Sequence, residues 1–314
     1  MEINKEEIAK IRNELSKEYE ASSKATTINM FLLVVFLMFP IAGSLKILND
    51  PGDASMVDIV LPTIIALIAT SMVRYLYVVP KTKKYKDSVK KVINSLVFEK
   101  MFENVSFAPE TGISRTELKT IELIPFGNRY SSNDLLKGRK DGVDFSRADV
   151  WTYTERTDSD GNTTTNTDFK GQVYKFNFHK DTINYVQIKD KKFLSGIFKG
   201  HKLPNVHKIT FEDDRFNERF DVYTNDEEES FYVFTPHFME KVMNLKDKFH
   251  ARLSVVVTEG VIYIAANTGG DAFEIKNNQE VTDTFIQDVI SEANIISELI
   301  TDLGLDSDLF KQRN

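Results

Sequence analysis

The sequence predicts an α+β protein: a two-helix transmembrane hairpin followed by a cytoplasmic antiparallel-sheet domain with packing helices. Three observations carry this expectation. Apolar residues concentrate between Met30 and Val79, in a chain whose mean hydropathy is only -0.29. Lysines and arginines flank that region on both sides and are absent from the short connection inside it. The rest of the chain mixes strand-period runs with helix-period stripes and shows no βαβ alternation.

Residues 1–26 read as a cytoplasmic amphipathic helix, with Ile8, Ile11, Leu15 and Tyr19 at helical spacing on one face. That face could rest on the sheet domain, on another subunit or on the membrane surface. Residues 27–49 form the first expected span, centred on Phe31-Leu32-Leu33-Val34-Val35-Phe36-Leu37-Met38. Lys46 lies near its end, where its stem can snorkel outward. Residues 50–55 make a short external loop. Residues 56–79 form the second span, with Asp58 and Arg74 toward its two ends. Each span has roughly the 20 residues needed to cross a hydrocarbon core of about 30 Å. Pro40 and Pro62 lie inside them, where neighbouring helices can satisfy the freed carbonyls.

A cleaved signal would start with a short basic region and lack a second span, so this pattern disfavours it. A buried core hairpin is the other alternative, and length and flanks disfavour it. Lys5, Lys10, Arg12, Lys17 and Lys24 precede the first span, and a lysine cluster follows the second. By the positive-inside rule both termini then lie in the cytoplasm, in a multi-pass protein of the inner membrane. No ionisable residue falls near either span centre, so anchoring is the simpler role. A pore lined by Ser44, Thr63, Thr70 and Ser71 is the rival.

Residues 80–105 read as a basic juxtamembrane helix with Val89, Ile93, Leu96, Val97 and Met101 on its apolar side. Lys81, Lys83, Lys84, Lys86, Lys90 and Lys91 are the candidate contacts for anionic lipid. Topology alone also accounts for them.

Residues 106–305 form the expected α+β domain, and 306–314 a tail. Pro109-Glu110-Thr111-Gly112 signals a turn, and Ser114 with Glu117 suggests a capping box. Strands are expected at 149–156, 172–179, 183–188, 207–213, 219–224 and 231–234. Residues 157–168 read as a polar hairpin tip. Thr235 and Pro236 fit the N-cap and first position of a helix whose apolar face is Phe238, Val242, Leu245 and Phe249. Two strands at 252–258 and 261–266 follow, joined by a tight turn at Glu259-Gly260. The last helix, 281–303, carries Phe285, Val289, Ile296, Leu299, Ile300 and Leu303 as a wide apolar stripe.

Composition excludes several chemistries. A formal net charge of -7 and a pI near 5.4 speak against nucleic acid as the main partner. With 0 cysteines, disulfides, thiolate nucleophiles and cysteine zinc sites are impossible. No P-loop, dinucleotide fingerprint or nucleophile elbow occurs, so no cofactor is expected and an enzyme is not favoured. His201 and His207 fit no helical metal spacing, and His179, His237 and His250 are scattered. Asp158, Asp160, Asn162 and Asp168 have the wrong offsets for a calcium loop, and read as a solvated turn. Carboxylate runs such as Asp226 to Glu229 read as solvated faces.

One stretch is more distinctive. Val206-His207-Lys208-Ile209-Thr210-Phe211 leads through Phe216, Phe220, Val222 and Tyr223 to Asn225-Asp226-Glu227-Glu228-Glu229 and then Phe234-Thr235-Pro236-His237-Phe238-Met239. With Phe169-Lys170-Gly171, Val261-Ile262-Tyr263-Ile264-Ala265 and the paired spans, this resembles the bacterial membrane family known as domain of unknown function 3137. Glu229 or Ser230 stands where that family usually has alanine. The resemblance implies topology and fold and transfers no catalytic residue. On the residues themselves, Phe216, Phe220 and Val222 read as strand core, Asp226 as a turn, and Thr235-Pro236 as a helix start.

The expectation is therefore a membrane-anchored binding or scaffold module in the lipid bilayer, with a protein partner or a homo-oligomeric mate. A tethered enzyme assembled from dispersed residues and an oligomeric channel or transport accessory are the alternatives.

Overall fold

The computed structural model describes residues 5–49, 56–177, 184–191 and 203–305. The expected loop 50–55, the tail 306–314, His179 and His201 lie outside the described residues. The chain divides into two compact units: Met1–Ser95 with Glu274–Asp288, and Leu96–Phe273 with Val289–Asn314.

In the first unit, helix α1 (Lys5–Asn49) runs unbroken through both the expected amphipathic helix and the first apolar stretch. Helix α2 (Met56–Val73) continues through a π-helical turn at Arg74–Val78 into α3 (Val79–Ile93). Pro80 explains the wide turn. It has no N–H, and its ring would crowd the carbonyl four residues back in an α-helix. The wider turn relieves this, and Val79 N–H donates five residues back to the Arg74 carbonyl.

α1 packs against both α2 and α3. Ile8, Ile11 and Leu15 of α1 are buried, as are Tyr85, Val89 and Ile93 of α3. The rings of Tyr19 and Tyr85 lie 5.7 Å apart. The N-terminal apolar face is thus buried within this unit. Gly43 permits close approach of α1 to α2, since a Cβ there would fall 2.6 Å from Ile59 Cγ1. Two helical stretches, Ile8–Leu45 and Ile59–Met101, are long and apolar enough to cross a membrane. Their most apolar windows are 0% and 6% buried.

The second unit holds a nine-stranded sheet among the described residues, antiparallel throughout. Its strands are β1 (Glu103–Ala108), β2 (Arg129–Lys140), β3 (Val143–Thr157), β4 (Thr163–Asn177), β5 (Val186–Asp190), β6 (His207–Ile209), β7 (Phe220–Thr224), β8 (Arg252–Thr258) and β9 (Val261–Asn267). Their spatial order is β1-β2-β3-β4-β9-β8-β5-β7-β6. The mixed helix and antiparallel-sheet class is therefore as expected. Glu259 and Gly260 both take positive φ, +48° and +72°, as a tight two-residue hairpin turn requires.

Alternation gives the sheet two buried faces. Ala148, Val150, Val173, Tyr263 and Ala265 meet Leu118, Leu123 and Ile124 from the segment that carries helix α5 (Arg115–Thr120). A short helix α4 (Glu99–Met101) precedes β1. On the opposite face lie Tyr174, Phe176, Ile262 and Ile264. There the ring of Phe249, at the end of helix α8 (Pro236–Phe249), sits 6.0 Å from that of Tyr174. Helix α9 (Asp283–Leu303) buries all six residues of its predicted stripe, and the division between the two units falls inside it.

Several local expectations are corrected. The basic helix expected to reach 105 ends at Met101, and Glu103–Ala108 is a strand. Residues 231–234 are not a strand, because helix α7 (Glu227–Val233) occupies that segment. Asp226 accepts a hydrogen bond from Glu229 N–H, and three glutamates in the first turn favour the positive helix start. Phe216 is core, but on helix α6 (Asp214–Arg219) rather than on a strand; Asp213 caps that helix. The polar tip is only a short turn, since β3 and β4 pair through Thr157 and Thr163. The capping box at Ser114 does not form. Ser114 makes no side-chain cap bond, and Glu117 is drawn to Lys175 and Tyr263 instead.

Candidate functional site

All six lysines singled out for lipid contact lie on α3. That helix buries Thr82, Tyr85, Val89 and Ile93 along one face. Lys81, Lys83, Lys84 and Lys91 are exposed, whereas Lys86 and Lys90 are half-buried at the flanks of the buried stripe. Lys84 Nζ lies 3.4 Å from Glu18 of α1, and Lys86 Nζ lies 2.5 Å from Glu274. The set is thus graded: part of it faces outward and part binds the unit's own carboxylates. Above it, Tyr75 and Tyr77 in the π turn are 74% and 42% exposed.

Residues 274–283 are held by side chains of α1 and α3 in the same unit. Ser22 Oγ donates to the Asn277 carbonyl at 2.6 Å, and Tyr85 OH donates to the Gln279 carbonyl at 2.7 Å. Arg12 Nε donates to the Val281 carbonyl at 3.1 Å, and its guanidinium pairs with Glu280 and Asp283. Ile275 and Val281 are buried beneath. Burial, with Tyr19 and Glu280 nearby, pushes the Tyr85 phenol up to about 12. Sequence spacing offered no sign of this strap, because its donors bind backbone carbonyls more than 190 positions away.

The sheet unit contains a buried polar network that the sequence did not reveal. Arg147 and Asp149, both 1% exposed, form a bidentate pair at 3.0 and 2.8 Å. Asp149 also accepts from Gln172 Nε2 at 3.1 Å and Ala272 N–H at 3.3 Å. The Arg147 guanidinium stands 4.5 Å over the Phe273 ring. Burial opposes its charge, but the Asp149 carboxylate together with Tyr174 and Glu292 more than offsets this, and the arginine pKa rises. Burial also raises the Tyr174 phenol beside it. Both Asp149 oxygens are answered by donors, whereas the buried Tyr174 hydroxyl beside them has no hydrogen-bond partner among the described residues.

Two open clefts mark the sheet unit. One, of about 260 Å³, has Lys137, Ser146 and Lys175 side by side on three neighbouring strands. Lys175 is held by Glu117 at 2.7 Å, and Tyr263 OH donates to the same carboxylate. The other, of about 370 Å³, includes Asp190, Lys246, His250 and Arg252. Its Asp190 is 2.8 Å from Lys246.

The remaining candidate residues stay apart. Among the described residues no three of His, Asp or Glu are placed to hold a metal ion. His207 faces Glu227 at 3.8 Å, and His250 lies in the second cleft. Asp158 accepts from Asp160 and Asn162 N–H within its own turn, while Asp168 accepts from Thr154. Asp213 and Asp226 serve as helix caps.

These features define a mixed α+β protein with two apolar helices of membrane-spanning length. Residues 167–305 match the model of the family described as "Protein of unknown function (DUF3137)", which supports the resemblance carried by the Phe216 to Met239 stretch. No curated protein matches the chain. A solved structure, the mycobacterial trehalose monomycolate transport factor A, TtfA, aligns with 68% of this chain and 96% of its own. Its identity is 9% and its TM-score 0.35, below the level at which two folds can be equated.

Proposed function

We propose that the protein is a membrane-anchored binding or scaffold module of the inner membrane. In this reading α1 and α2 cross the bilayer, both termini face the cytoplasm and residues 50–55 lie outside. The single observation that carries it is the exposure of the apolar windows. Phe31, Leu33, Leu67 and Ile68 are 67%, 56%, 51% and 61% exposed, and nothing else among the described residues covers them. So large an apolar surface is unstable in water and at home in lipid. The basic flanks and the connection without lysine or arginine support the orientation.

The span hydroxyls support anchoring over conduction. Ser44 donates to the Pro40 carbonyl, Thr63 to Ile59 and Thr70 to Leu67, each on its own helix. These three donors, of the four hydroxyls considered for a pore, are engaged within their own helices. The sheet unit then carries the binding role, toward a protein partner or a second copy. The test is alkaline extraction of membranes, with reporter fusions at both ends. Retention in the pellet and cytoplasmic activity at both termini are expected. Release into the supernatant, or a reporter active only outside, would overturn the reading.

A further inference from the structure

We infer that Lys81, Lys83 and Lys84 form a contact surface for the headgroups of anionic phospholipids, while Lys90 and Lys91 stand too far along α3 to share it and Lys86 is engaged by Glu274. This rests on the proposed insertion of α1 and α2. Val79, 45% exposed, is the last large apolar residue of the exposed run, directly after Tyr75 and Tyr77. Exposed tyrosines at the end of an apolar span mark the headgroup level.

From Val79 an α-helix rises about 1.5 Å per residue. Lys81, Lys83 and Lys84 then stand roughly 3, 6 and 8 Å beyond it. The polar headgroup layer is about 5–7 Å deep on each side. All three are exposed side chains, so their ammonium groups reach that layer. Lys90 and Lys91 stand roughly 17 and 18 Å beyond Val79. That leaves roughly 10–13 Å beyond the headgroup layer, more than one screening length at physiological salt, where attraction to the surface is much weakened.

Lys86 is intermediate in height, but its ammonium is committed to Glu274 at 2.5 Å. Lys84 differs: its pair with Glu18 is longer, and its side chain is 70% exposed. An exposed pair of that kind is weak and leaves further donors for a phosphate oxygen. The favoured partner is a phosphodiester headgroup with net negative charge, such as phosphatidylglycerol, at the leaflet where α3 emerges.

The test uses the full chain reconstituted in phosphatidylcholine vesicles with a minority of phosphatidylglycerol. Spin-labelled phosphatidylglycerol and phosphatidylcholine report which lipid the protein holds. Wild type is expected to prefer the anionic lipid at low salt. In K81Q/K83Q/K84Q that preference falls toward parity, by at least about two-fold. K90Q/K91Q keeps the preference, and so does the charge-preserving K81R/K83R/K84R, which controls for folding. Preference that survives the glutamine triple variant, or that K90Q/K91Q removes equally, overturns the inference. Co-flotation with vesicles without lipid preference overturns it alone. Failure of the wild type to float with vesicles overturns the insertion reading as well.

Discussion

Arg12 and Val281 are joined by a 3.1 Å hydrogen bond from the guanidinium Nε to the backbone carbonyl, across 269 positions of sequence. The same guanidinium faces Glu280 and Asp283, so one side chain holds three points of the 274–283 segment. Arg12→Ala is expected to lower stability by about 1.5–3 kcal/mol, the range for a hydrogen bond from a charged group, with the exposed ion pairs adding little. Hydrogen exchange of amides 277–286 in detergent is the measurement. Faster exchange confined to that stretch is expected, and no change would count against the strap.

Tyr85 offers a pH signature in the same place. Its phenol is raised from the ordinary 10.0 to about 12, first by burial and then by Tyr19 and Glu280. The folded state thus favours the neutral phenol. Its stabilising contribution is complete below pH 10 and is lost as pH rises toward about 12. Tyr85→Phe, which removes the donor to the Gln279 carbonyl, is expected to cost about 1 kcal/mol at neutral pH. The gap between wild type and variant should narrow through that alkaline window. A gap independent of pH would refute the assignment.

Gly43 tests the packing of the two apolar helices. A Cβ at this position would press on Ile59 Cγ1 at 2.6 Å. Gly43→Leu is expected to weaken the α1–α2 pairing by about 1–3 kcal/mol, the usual cost of overpacking. Small residues at such contacts let helix backbones approach closely in lipid. Unfolding in mixed micelles reads the loss. Adding Ile59→Ala should restore part of it, whereas equal loss in the double variant would place the strain elsewhere.

Arg147→Met leaves Asp149 buried without its cation, although Gln172 and Ala272 still donate to it. Breaking one side of such a pair costs about 3–5 kcal/mol. Urea unfolding of the full chain in detergent should therefore show the sheet unit melting at much lower denaturant. A shift comparable to that of a surface substitution would mean that the network does not pin the segment after β9.

Periodic apolar residues made most long elements legible. The α9 stripe, the Thr235-Pro236 start of α8 and the β8–β9 hairpin all follow from residues close in sequence. β2 was invisible because Arg129 to Lys140 is largely polar and contains no β-branched residue. It is a strand because β1 and β3 flank it, with a register shift around Asp134, whose φ is +56°. α7 was misread because two aromatic residues outweighed the Asp226 cap. The lysine set was legible as a cluster. Which members pair with Glu18 and Glu274 was not, since both carboxylates are distant in sequence from α3. Gly171 shows the reverse, a motif residue whose reason is only structural. A Cβ there would collide with the Ala266 carbonyl oxygen on β9.

The π turn at Arg74–Val78 also sets an azimuth. At 100° per residue, the face bearing Ala66 and that bearing Tyr85, Val89 and Ile93 would be roughly 140° out of phase. A π turn absorbs about one extra residue, and so rotates the downstream helix back by about 100°, most of that offset. Both faces can then look toward the same neighbour, α1, which α2 and α3 each contact. Deleting a single residue here would swing Tyr85 off its partner while leaving every side chain chemically intact. The number of residues in this turn is constrained more tightly than their identities.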